Sequence, residues 1–175
     1  MTRARRFLVA ALSLLLAATL FRAQLASSLV VRGDEFLYRN DISGAATYYR
    51  RAIRIDGDFA DAADRLAFLA MQKRTQAALA AAVAATTVYL GQHGDDPRIL
   101  ADRAMCYQIE KRYRKAEPDF ERAAWLLRDP RYFTFAGWAA ARSGSRTRAR
   151  KLWVAALRID PRFLPARHAL ERRAT

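Results

Sequence analysis

Cysteine and histidine are nearly absent from this sequence. It contains one cysteine, Cys106, and two histidines, His93 and His168. A single cysteine cannot form an internal disulfide, and so few thiol and imidazole groups leave little material for a metal site or a nucleophile–base pair. The sequence also lacks a glycine-rich phosphate loop, an HExxH motif and a paired-cysteine motif. We therefore predict no catalytic residue, no cofactor and no metal site, and hence that the chain is not an enzyme.

Helix-breaking residues are scarce as well. Only seven glycines and five prolines occur among 175 residues, whereas alanine, leucine and arginine, which favour helices, are abundant. The few breakers then mark the ends of helices, and GQHGDDP, with Asp95 and Asp96, is interpreted as such a turn. Hydrophobic residues make up 53% of the chain, a globular composition that allows a buried core. The composition predicts an all-α fold.

Acidic residues are outnumbered: 31 lysines and arginines stand against 17 acidic residues, a formal net charge of +14. Most of the excess lies in residues 131–175, which contain eleven basic residues and two acidic ones. Such a surface attracts nucleic acid, anionic lipid headgroups or an acidic protein partner, and an ordinary solvated face is the equally weighted alternative. The predicted basic surface consists of Arg142, Arg146, Arg148, Arg150 and Lys151.

An apolar segment lies close to the N-terminus. Arg3, Arg5 and Arg6 precede an uncharged run from Phe7 to Phe21, which is the arrangement of an export or anchoring signal. The run extends about 22 Å as a helix at about 1.5 Å per residue, whereas roughly 20 residues are needed to cross a bilayer core. Residues 23–31 would lengthen the span.

Two fates are open for this segment. No good A-x-A cleavage site is present, and the nearest small residues are Ala26 and Ser28. We therefore favour an uncleaved signal anchor at 1–25 and keep a cleaved signal peptide as the alternative. Because the arginines hold the N-terminus in the cytoplasm, the predicted location is the inner (cytoplasmic) membrane, single-pass, with the rest of the chain on the exported, periplasmic side.

Two distant stretches nearly repeat each other. YRRAIRIDGDF occupies residues 49–59 and WVAALRIDPRF occupies residues 153–163. Their separation is about three lengths of a 34-residue helix-turn-helix repeat. Matching stretches between them predict four units, at 26–59, 60–96, 97–129 and 130–163, followed by a capping helix at 164–175. The unit at 60–96 fits the pattern least well.

Small residues recur beside large ones at equivalent positions of these units. The small residues are Gly33, Ala67, Ala104 and Gly137 in the first helices and Ala45, Ala52, Ala116, Ala149 and Ala156 in the second, and the large ones are Tyr49, Tyr107, Phe120 and Trp153. In the second helix of the 60–96 unit, Leu79 or Ala82 takes the small position. Val83 or Thr86 replaces the aromatic residue there.

This pattern resembles the tetratricopeptide-repeat (TPR) family over residues 26–175. The resemblance implies a right-handed α-solenoid of about four helix-turn-helix units with a capping helix, preceded here by an N-terminal membrane helix. The family has a proline at the end of a unit, where the first unit has Gly57. Small residues are needed where the two helices of a unit cross closely, because a bulkier side chain would push them apart.

The resemblance also implies a concave groove that holds a peptide or a partner helix. Positions two, five, nine and twelve of each first helix would line it. The predicted partner-binding residues are Leu37, Phe68, Met71, Arg98, Met105, Gln108, Arg131 and Trp138. The same mapping places Val30, Ala101 and Thr134 in the groove. Its apolar middle can receive a hydrophobic side chain, and packing between repeats is the alternative interpretation.

Together these features predict a protein-interaction module. We expect a membrane-anchored scaffold or accessory subunit that assembles or stabilises a membrane complex, with protein partners and with anionic lipid headgroups as a further candidate. The alternatives are a soluble periplasmic adaptor released by signal cleavage and a basic cytosolic nucleic-acid-binding protein. The last is disfavoured because the basic stretch lacks interleaved exposed aromatic residues that stack on bases.

Overall fold

The computed structural model describes residues 3–55 and 60–171, and every regular element in these ranges is an α-helix. The helices are α1 (Arg3–Tyr38), α2 (Ile42–Ile55), α3 (Ala60–Lys73), α4 (Gln76–His93), α5 (Pro97–Ile109), α6 (Tyr113–Leu127), α7 (Pro130–Arg142), α8 (Arg146–Ile159) and α9 (Leu164–Glu171). The all-α prediction is confirmed. The chain forms two compact units, Met1–Ala62 (unit 1) and Ala63–Thr175 (unit 2), and each is described by itself.

Aspartate followed by proline starts two of these helices. The carboxylate of Asp96 accepts a hydrogen bond from the backbone N–H of Arg98 at 2.9 Å, and Asp129 accepts one from Arg131 at 2.8 Å. Proline in the first turn loses no hydrogen bond, because the N–H groups there have no partner within the helix. The GQHGDDP stretch therefore ends α4 and starts α5.

A left-handed backbone residue recurs between successive helices. Asn40, Arg74, Lys111 and Gly144 have φ values of 60°, 52°, 59° and 94°, and each is the fifteenth residue of a predicted unit. Helices α3, α5, α7 and α9 begin at residues 60, 97, 130 and 164. The repeated sequence register thus places the same backbone turn at the same position. Gly57 and residues 172–175, predicted to end the first unit and the cap, lie outside the described residues.

In unit 1, α1 and α2 approach closely through small residues. A Cβ atom added to Gly33 would lie 2.8 Å from Cδ1 of Tyr49 and nearer still to Cε1. Tyr49 is fully buried, and its hydroxyl donates a hydrogen bond to Oδ1 of Asp34 at 2.6 Å. Ala45 and Ala52 on α2 are also fully buried. The last third of α1 is therefore one half of a packed helix pair.

The first part of α1 is exposed on all sides. Phe7, Leu14 and Phe21 are 75%, 76% and 69% exposed, and full burial begins only at Ala26. α1 nevertheless continues without a break to Tyr38. Within residues 23–31, Ala26 and Val30 are buried, whereas Leu25 and Val31 are 40% and 57% exposed, and the lengthening of a membrane span through these residues stays a prediction.

Arg22 marks the point where the exposed apolar part of α1 ends. Its Nε and Nη2 atoms donate hydrogen bonds to the backbone carbonyl of Ile55, at 3.1 and 2.8 Å. Ile55 is the last residue of α2, where carbonyl groups lack partners within the helix. Arg22 therefore joins α1 to the C-terminal end of α2.

The largest core of unit 2 combines aromatic rings with alanines. Phe120, Phe133 and Trp153 are buried there, and Tyr107 is partly buried against the same cluster. Its fully buried alanines include Ala104, Ala116, Ala149 and Ala156. A Cβ atom on Gly137 would overlap the Trp153 indole, at 2.5 Å from Cδ1 and closer to Nε1. The indole needs the space that a glycine leaves open.

The core between α3, α4 and α5 has no aromatic side chain among its buried residues. Its buried residues are Ala67, Ala70, Leu79, Ala82 and Cys106. Leu79 and Ala82, the two candidates for the position that other units fill with a small residue, are therefore both buried in this core. Thr86 is fully buried and donates its hydroxyl to the Ala82 carbonyl at 2.8 Å, while Val83 packs partly buried against the cluster. Aliphatic side chains and one cysteine fill this core in place of aromatic rings.

Candidate partner-binding surface

A pocket of about 600 Å³ lies within unit 2 and collects predicted groove residues. It is lined by Arg74, Gln108, Ile109, Tyr113, Trp138, Ala139, Ala141 and Arg142. Gln108 and Trp138 were assigned to the groove from the sequence, and Arg142 to the basic surface. The structure brings these three together at the ends of α5 and α7. The pocket is therefore the candidate site for a partner.

The polar groups that line this pocket include two arginines. Arg142 lies over the Tyr113 ring at 5.7 Å, with Nη1 3.4 Å from the Tyr113 hydroxyl. No carboxylate in the described part of the chain pairs with Arg142 or Arg74. The Oε1 atom of Gln108 is buried and has no hydrogen-bond partner among the described residues. The pocket thus offers two cations.

Apolar surface completes the pocket. The indole of Trp138 is 38% exposed and tilts against Phe135 at a ring-centroid distance of 5.6 Å. Ile109 and the Tyr113 ring line the same space. An aromatic platform beside cationic groups fits a peptide that carries an apolar and an acidic side chain.

Sequence reasoning missed Arg74, Ile109 and Tyr113 as pocket residues. They lie at or beyond the ends of first helices, outside the four positions that the groove mapping considered. Arg74 lies at the repeated turn position with a left-handed φ of 52°, which the sequence does not reveal.

The other predicted groove residues do not line this pocket. Phe68 on α3 is 46% exposed, and Met71 and Met105 are partly buried. Arg131 is bound to Asp129, the cap of its own helix, with Nη2 and Oδ2 2.6 Å apart. Arg98 is exposed at the start of α5, and Leu37 is partly buried in unit 1.

Three residues from the same mapping do not line an open groove. Val30, Ala101 and Thr134 are 7%, 5% and 1% exposed. Thr134 donates its hydroxyl to the Pro130 carbonyl at 2.9 Å, and its own carbonyl accepts from the Trp153 indole at 3.4 Å. For these positions the alternative interpretation, packing within the protein, describes the structure.

Two carboxyl groups meet between α3 and α5. The Asp64 side chain lies near that of Asp102, and Oδ2 of Asp102 is buried without a hydrogen-bond partner in the described chain. Burial, followed by the interaction with the Asp64 side chain and its charge, raises the pKa of Asp102 to about 8. The charge of this site therefore depends on pH.

The groups with potential for covalent or metal chemistry are inert or isolated. Cys106 is fully buried, and burial, with Asp102 and Glu110 nearby, raises the pKa of its thiol to about 12. The thiolate that reactive cysteines need is therefore disfavoured. His93 stacks on Tyr89 at 4.6 Å. The described ranges contain no group of three metal-ligating side chains.

The predicted basic surface divides into paired and unpaired residues. Arg148 donates to Glu117 at 2.9 Å and also to Glu121, both on α6. Arg146, Arg150 and Lys151 are exposed and have no carboxylate partner within the described ranges. Arg148 thus joins α6 to α8, and the exposed positive charge of α8 is carried by the other three.

One helix of the described chain is long and apolar enough to cross a membrane. The segment Phe7–Tyr38 of α1 reaches a mean hydropathy of 1.8 over 18 residues, and none of that window is buried. A signal sequence near the N-terminus would have the same properties. This helix is thus compatible with either fate considered for the N-terminal segment.

Comparisons with known proteins identify the architecture. No protein-family model matches the sequence, and no curated protein matches it. Among solved structures, MamA is 16% identical, with a TM-score of 0.65 and coverage of 77% of each chain. YrrB, a TPR protein with an unusual peptide-binding site, is 18% identical, with a TM-score of 0.67 and coverage of 83% of this chain and 74% of its own.

A tetratricopeptide-repeat protein from Parabacteroides merdae is 20% identical, with a TM-score of 0.64 and coverage of 82% of this chain and 57% of its own. At these identities the similarity establishes the fold and nothing finer. The chain has the fold of a tetratricopeptide-repeat protein.

Proposed function

We propose that this protein is a membrane-anchored scaffold that binds peptide segments of partner proteins on the exported side of the inner membrane. One observation carries the proposal: α1 joins an apolar segment, exposed on all sides, to a segment packed on α2, without a break. An apolar helix exposed all round is stable in lipid and unfavourable in water. Three arginines precede this segment and orient it with the N-terminus inside.

The packing of α1 favours an anchor that is not cleaved. Ala26 is fully buried, and Arg22 holds the C-terminal carbonyl of α2. Cleavage near Ser28 would remove both contacts from the folded helix pair. A released periplasmic adaptor would therefore lose part of unit 1, and the membrane-bound form is the better supported of the two.

The pocket supports a peptide as the ligand. Arg74 and Arg142 suit a carboxylate, and Trp138 suits an apolar side chain. YrrB, with the same fold, has a peptide-binding site, which adds to the support. The binding partner would then be a subunit of a membrane complex with an exposed acidic and apolar segment.

The membrane anchor is tested by measuring where the chain is located and whether it keeps its full length. A reporter enzyme that is active only outside the cytoplasm is fused to the C-terminus, and membranes are extracted with alkaline carbonate. We expect reporter activity and a full-length chain that stays in the membrane pellet. A shortened chain in the soluble fraction would establish cleavage, and an inactive reporter would contradict export.

The pocket is tested by purification from mild detergent. We compare co-purifying proteins for the unaltered chain, for Trp138→Ala and for Arg74→Glu, with Arg167→Glu as the control because Arg167 is exposed on α9 outside the pocket. We expect one set of proteins that both pocket variants lose and the control keeps. Recovery of the chain alone from native membranes would contradict a scaffold.

A further inference from the structure

The last turn of α6 carries three consecutive exposed apolar residues, which we call the apolar tip. Trp125, Leu126 and Leu127 are 58%, 44% and 47% exposed. Consecutive residues on a helix point about 100° apart, so the three side chains together surround more than half of the helix end. The exposed apolar surface therefore covers an arc of about 200° at the end of the helix and is not confined to one face.

The core of unit 2 does not explain this exposure. The residues of α6 just before the tip, Ala123 and Ala124, are fully buried. Trp125 contacts the buried Phe133 only edge-on, at a centroid distance of 4.9 Å. More than half of its surface remains in solvent, although large apolar side chains in contact with one another are usually covered.

One positive charge without a carboxylate partner in the described chain lies beside the apolar tip. Arg128 follows the tip directly, is exposed, and ends α6 in a left-handed conformation with φ of 52°. The other nearby charges pair with one another: Asp129 pairs with Arg131 at 2.6 Å, and Asp95 pairs with Arg122 at 2.5 Å. Arg128 is therefore the residue that attracts an anion to the tip.

We propose that the apolar tip inserts into the headgroup boundary of an anionic bilayer and gives unit 2 its own contact with the membrane. Tryptophan prefers the membrane interface, leucine the acyl chains, and arginine the anionic headgroups. A bilayer interface can contact an exposed arc of this width, whereas a flat protein surface covers one side. This inference rests on the proposed anchor, because tethering by α1 keeps the tip at a high effective concentration near lipid.

Tryptophan fluorescence with brominated lipids tests the insertion. The full chain is reconstituted in vesicles of phosphatidylcholine and phosphatidylglycerol, with or without bromine on the acyl chains. The emission difference between the unaltered chain and Trp125→Phe reports Trp125. We expect bromine to remove most of this difference signal. Trp138→Phe is the matched control, and it should leave the bromine-sensitive signal in place.

A second pair of variants guards against effects on folding. Leu126→Ser with Leu127→Ser should reduce the bromine quenching of Trp125, whereas Leu164→Ser, at a residue of α9 that is 57% exposed, should not. Far-ultraviolet circular dichroism checks that the helix content of each variant is retained. Equal quenching in the double variant and in the control would overturn the proposal.

Flotation of the vesicles separates this inference from the anchor. A chain that floats and shows quenched Trp125 supports both. A chain that floats but whose Trp125 emission is insensitive to bromine refutes the insertion and leaves the anchor intact. If Trp125 is then also shielded from aqueous acrylamide, another protein chain covers the tip. A chain that fails to float refutes the anchor, and the insertion falls with it.

Discussion

In each of the two units, a glycine on one helix packs against an aromatic ring on the following helix. Gly33 faces Tyr49 in unit 1, and Gly137 faces Trp153 in unit 2. In each case the ring occupies the space where a Cβ atom would stand, so the ring can lie against the backbone of the preceding helix. A residue of zero side-chain volume on one helix thereby allows a large buried ring on the next.

Replacing Gly137 with alanine should destabilise unit 2. The added methyl group overlaps the Trp153 indole, and overpacking typically costs about 1–3 kcal/mol, against a gain of about 1 kcal/mol from alanine in a helix. We expect a net loss of about 1 kcal/mol in the free energy of unfolding. Urea titration of the full chain in detergent measures it through tryptophan emission, since all three tryptophans lie in unit 2.

The matched control for Gly137→Ala is Gly91→Ala. Gly91 lies within α4, and no atom would come within 4 Å of an added Cβ. This variant should gain stability, by about 0.5–1 kcal/mol, from helix propensity alone. Equal stabilities of the two variants would contradict the packing role of Gly137.

Asp102 should make the stability of unit 2 fall as pH rises. The pKa of Asp102 in the folded chain is raised from 3.8 to about 8, so between these values the folded state binds more protons than the unfolded state. The contribution of Asp102 to the free energy of unfolding is therefore fully present below about pH 4 and is lost as pH rises through about 8. The slope of the unfolding free energy against pH is at most about 1.4 kcal/mol per pH unit.

Asp102→Asn tests this dependence. The amide stays neutral at every pH, so unit 2 should become more stable at pH 8 and lose most of the slope. Urea unfolding at a series of pH values measures it. Glu171→Gln, at an exposed residue of α9, should keep the slope of the unaltered chain. A slope unchanged by Asp102→Asn would show that another group titrates.

At the scale of elements, the sequence predicts helices well and their side-chain partners poorly. Proline, glycine and aspartate mark helix ends through local chemistry, so the starts of α5 and α7 can be found from sequence. The contacts of Arg22 with Ile55 and of Arg148 with Glu117 depend on which helices are neighbours. Arginine side chains are long, and sequence spacing alone does not reveal which acceptor they reach.

Only part of the candidate site could be predicted, because sequence periodicity describes positions within helices. Gln108 and Trp138 fall at periodic positions of first helices, and the groove mapping found them. Arg74 and Tyr113 belong to turns and helix ends, which periodicity does not describe. Asp102 lies one residue from a mapped position, and its contact with Asp64 follows from the packing of α3 on α5.

The ion pair between Arg103 and Asp119 should be the strongest polar link between α5 and α6. Two hydrogen bonds, of 2.7 and 2.8 Å, join the side chains, which are 18% and 11% exposed. Removing one partner leaves a largely buried charge, so Asp119→Ala should lower the free energy of unfolding by about 3 kcal/mol. Tryptophan-detected urea unfolding of the full chain measures the loss.

A double variant and an exposed pair complete this experiment. Arg103→Met with Asp119→Leu removes both charges and should be more stable than Asp119→Ala. Asp95→Ala breaks the exposed ion pair between Asp95 and Arg122, whose side chains are 42% and 58% exposed, respectively. This variant should lose about 1 kcal/mol or less of unfolding free energy. A similar cost for the two single variants would contradict the special role of the buried pair.

At the scale of the whole molecule, the excess of positive charge attracts anions and does not stabilise the fold. A net charge of +14 destabilises a compact chain through self-repulsion. Many described acids are used to neutralise specific arginines, as Glu117 and Glu121 do for Arg148. The remaining arginines and lysines therefore carry the exposed positive charge of the described chain.

This division predicts different outcomes for neighbouring arginines of α8. Arg146→Gln, Arg150→Gln and Lys151→Gln together should weaken retention of the detergent-solubilised chain on an anionic resin, because exposed unpaired charges dominate such attraction. The elution salt concentration measures the effect. The stability of unit 2 should change by no more than about 0.5 kcal/mol, since these side chains are exposed and unpaired.

Arg148→Gln removes the same single charge as Arg150→Gln from the same helix and is its matched control. It leaves Glu117 and Glu121 without their partner, so unit 2 should lose about 1 kcal/mol of unfolding free energy, whereas Arg150→Gln should lose none. If both variants unfold alike, the pairing of Arg148 does not persist in solution, and Arg148 would then count among the exposed cations of α8. Because the two variants have the same net charge, only the local contacts of each arginine can separate their stabilities.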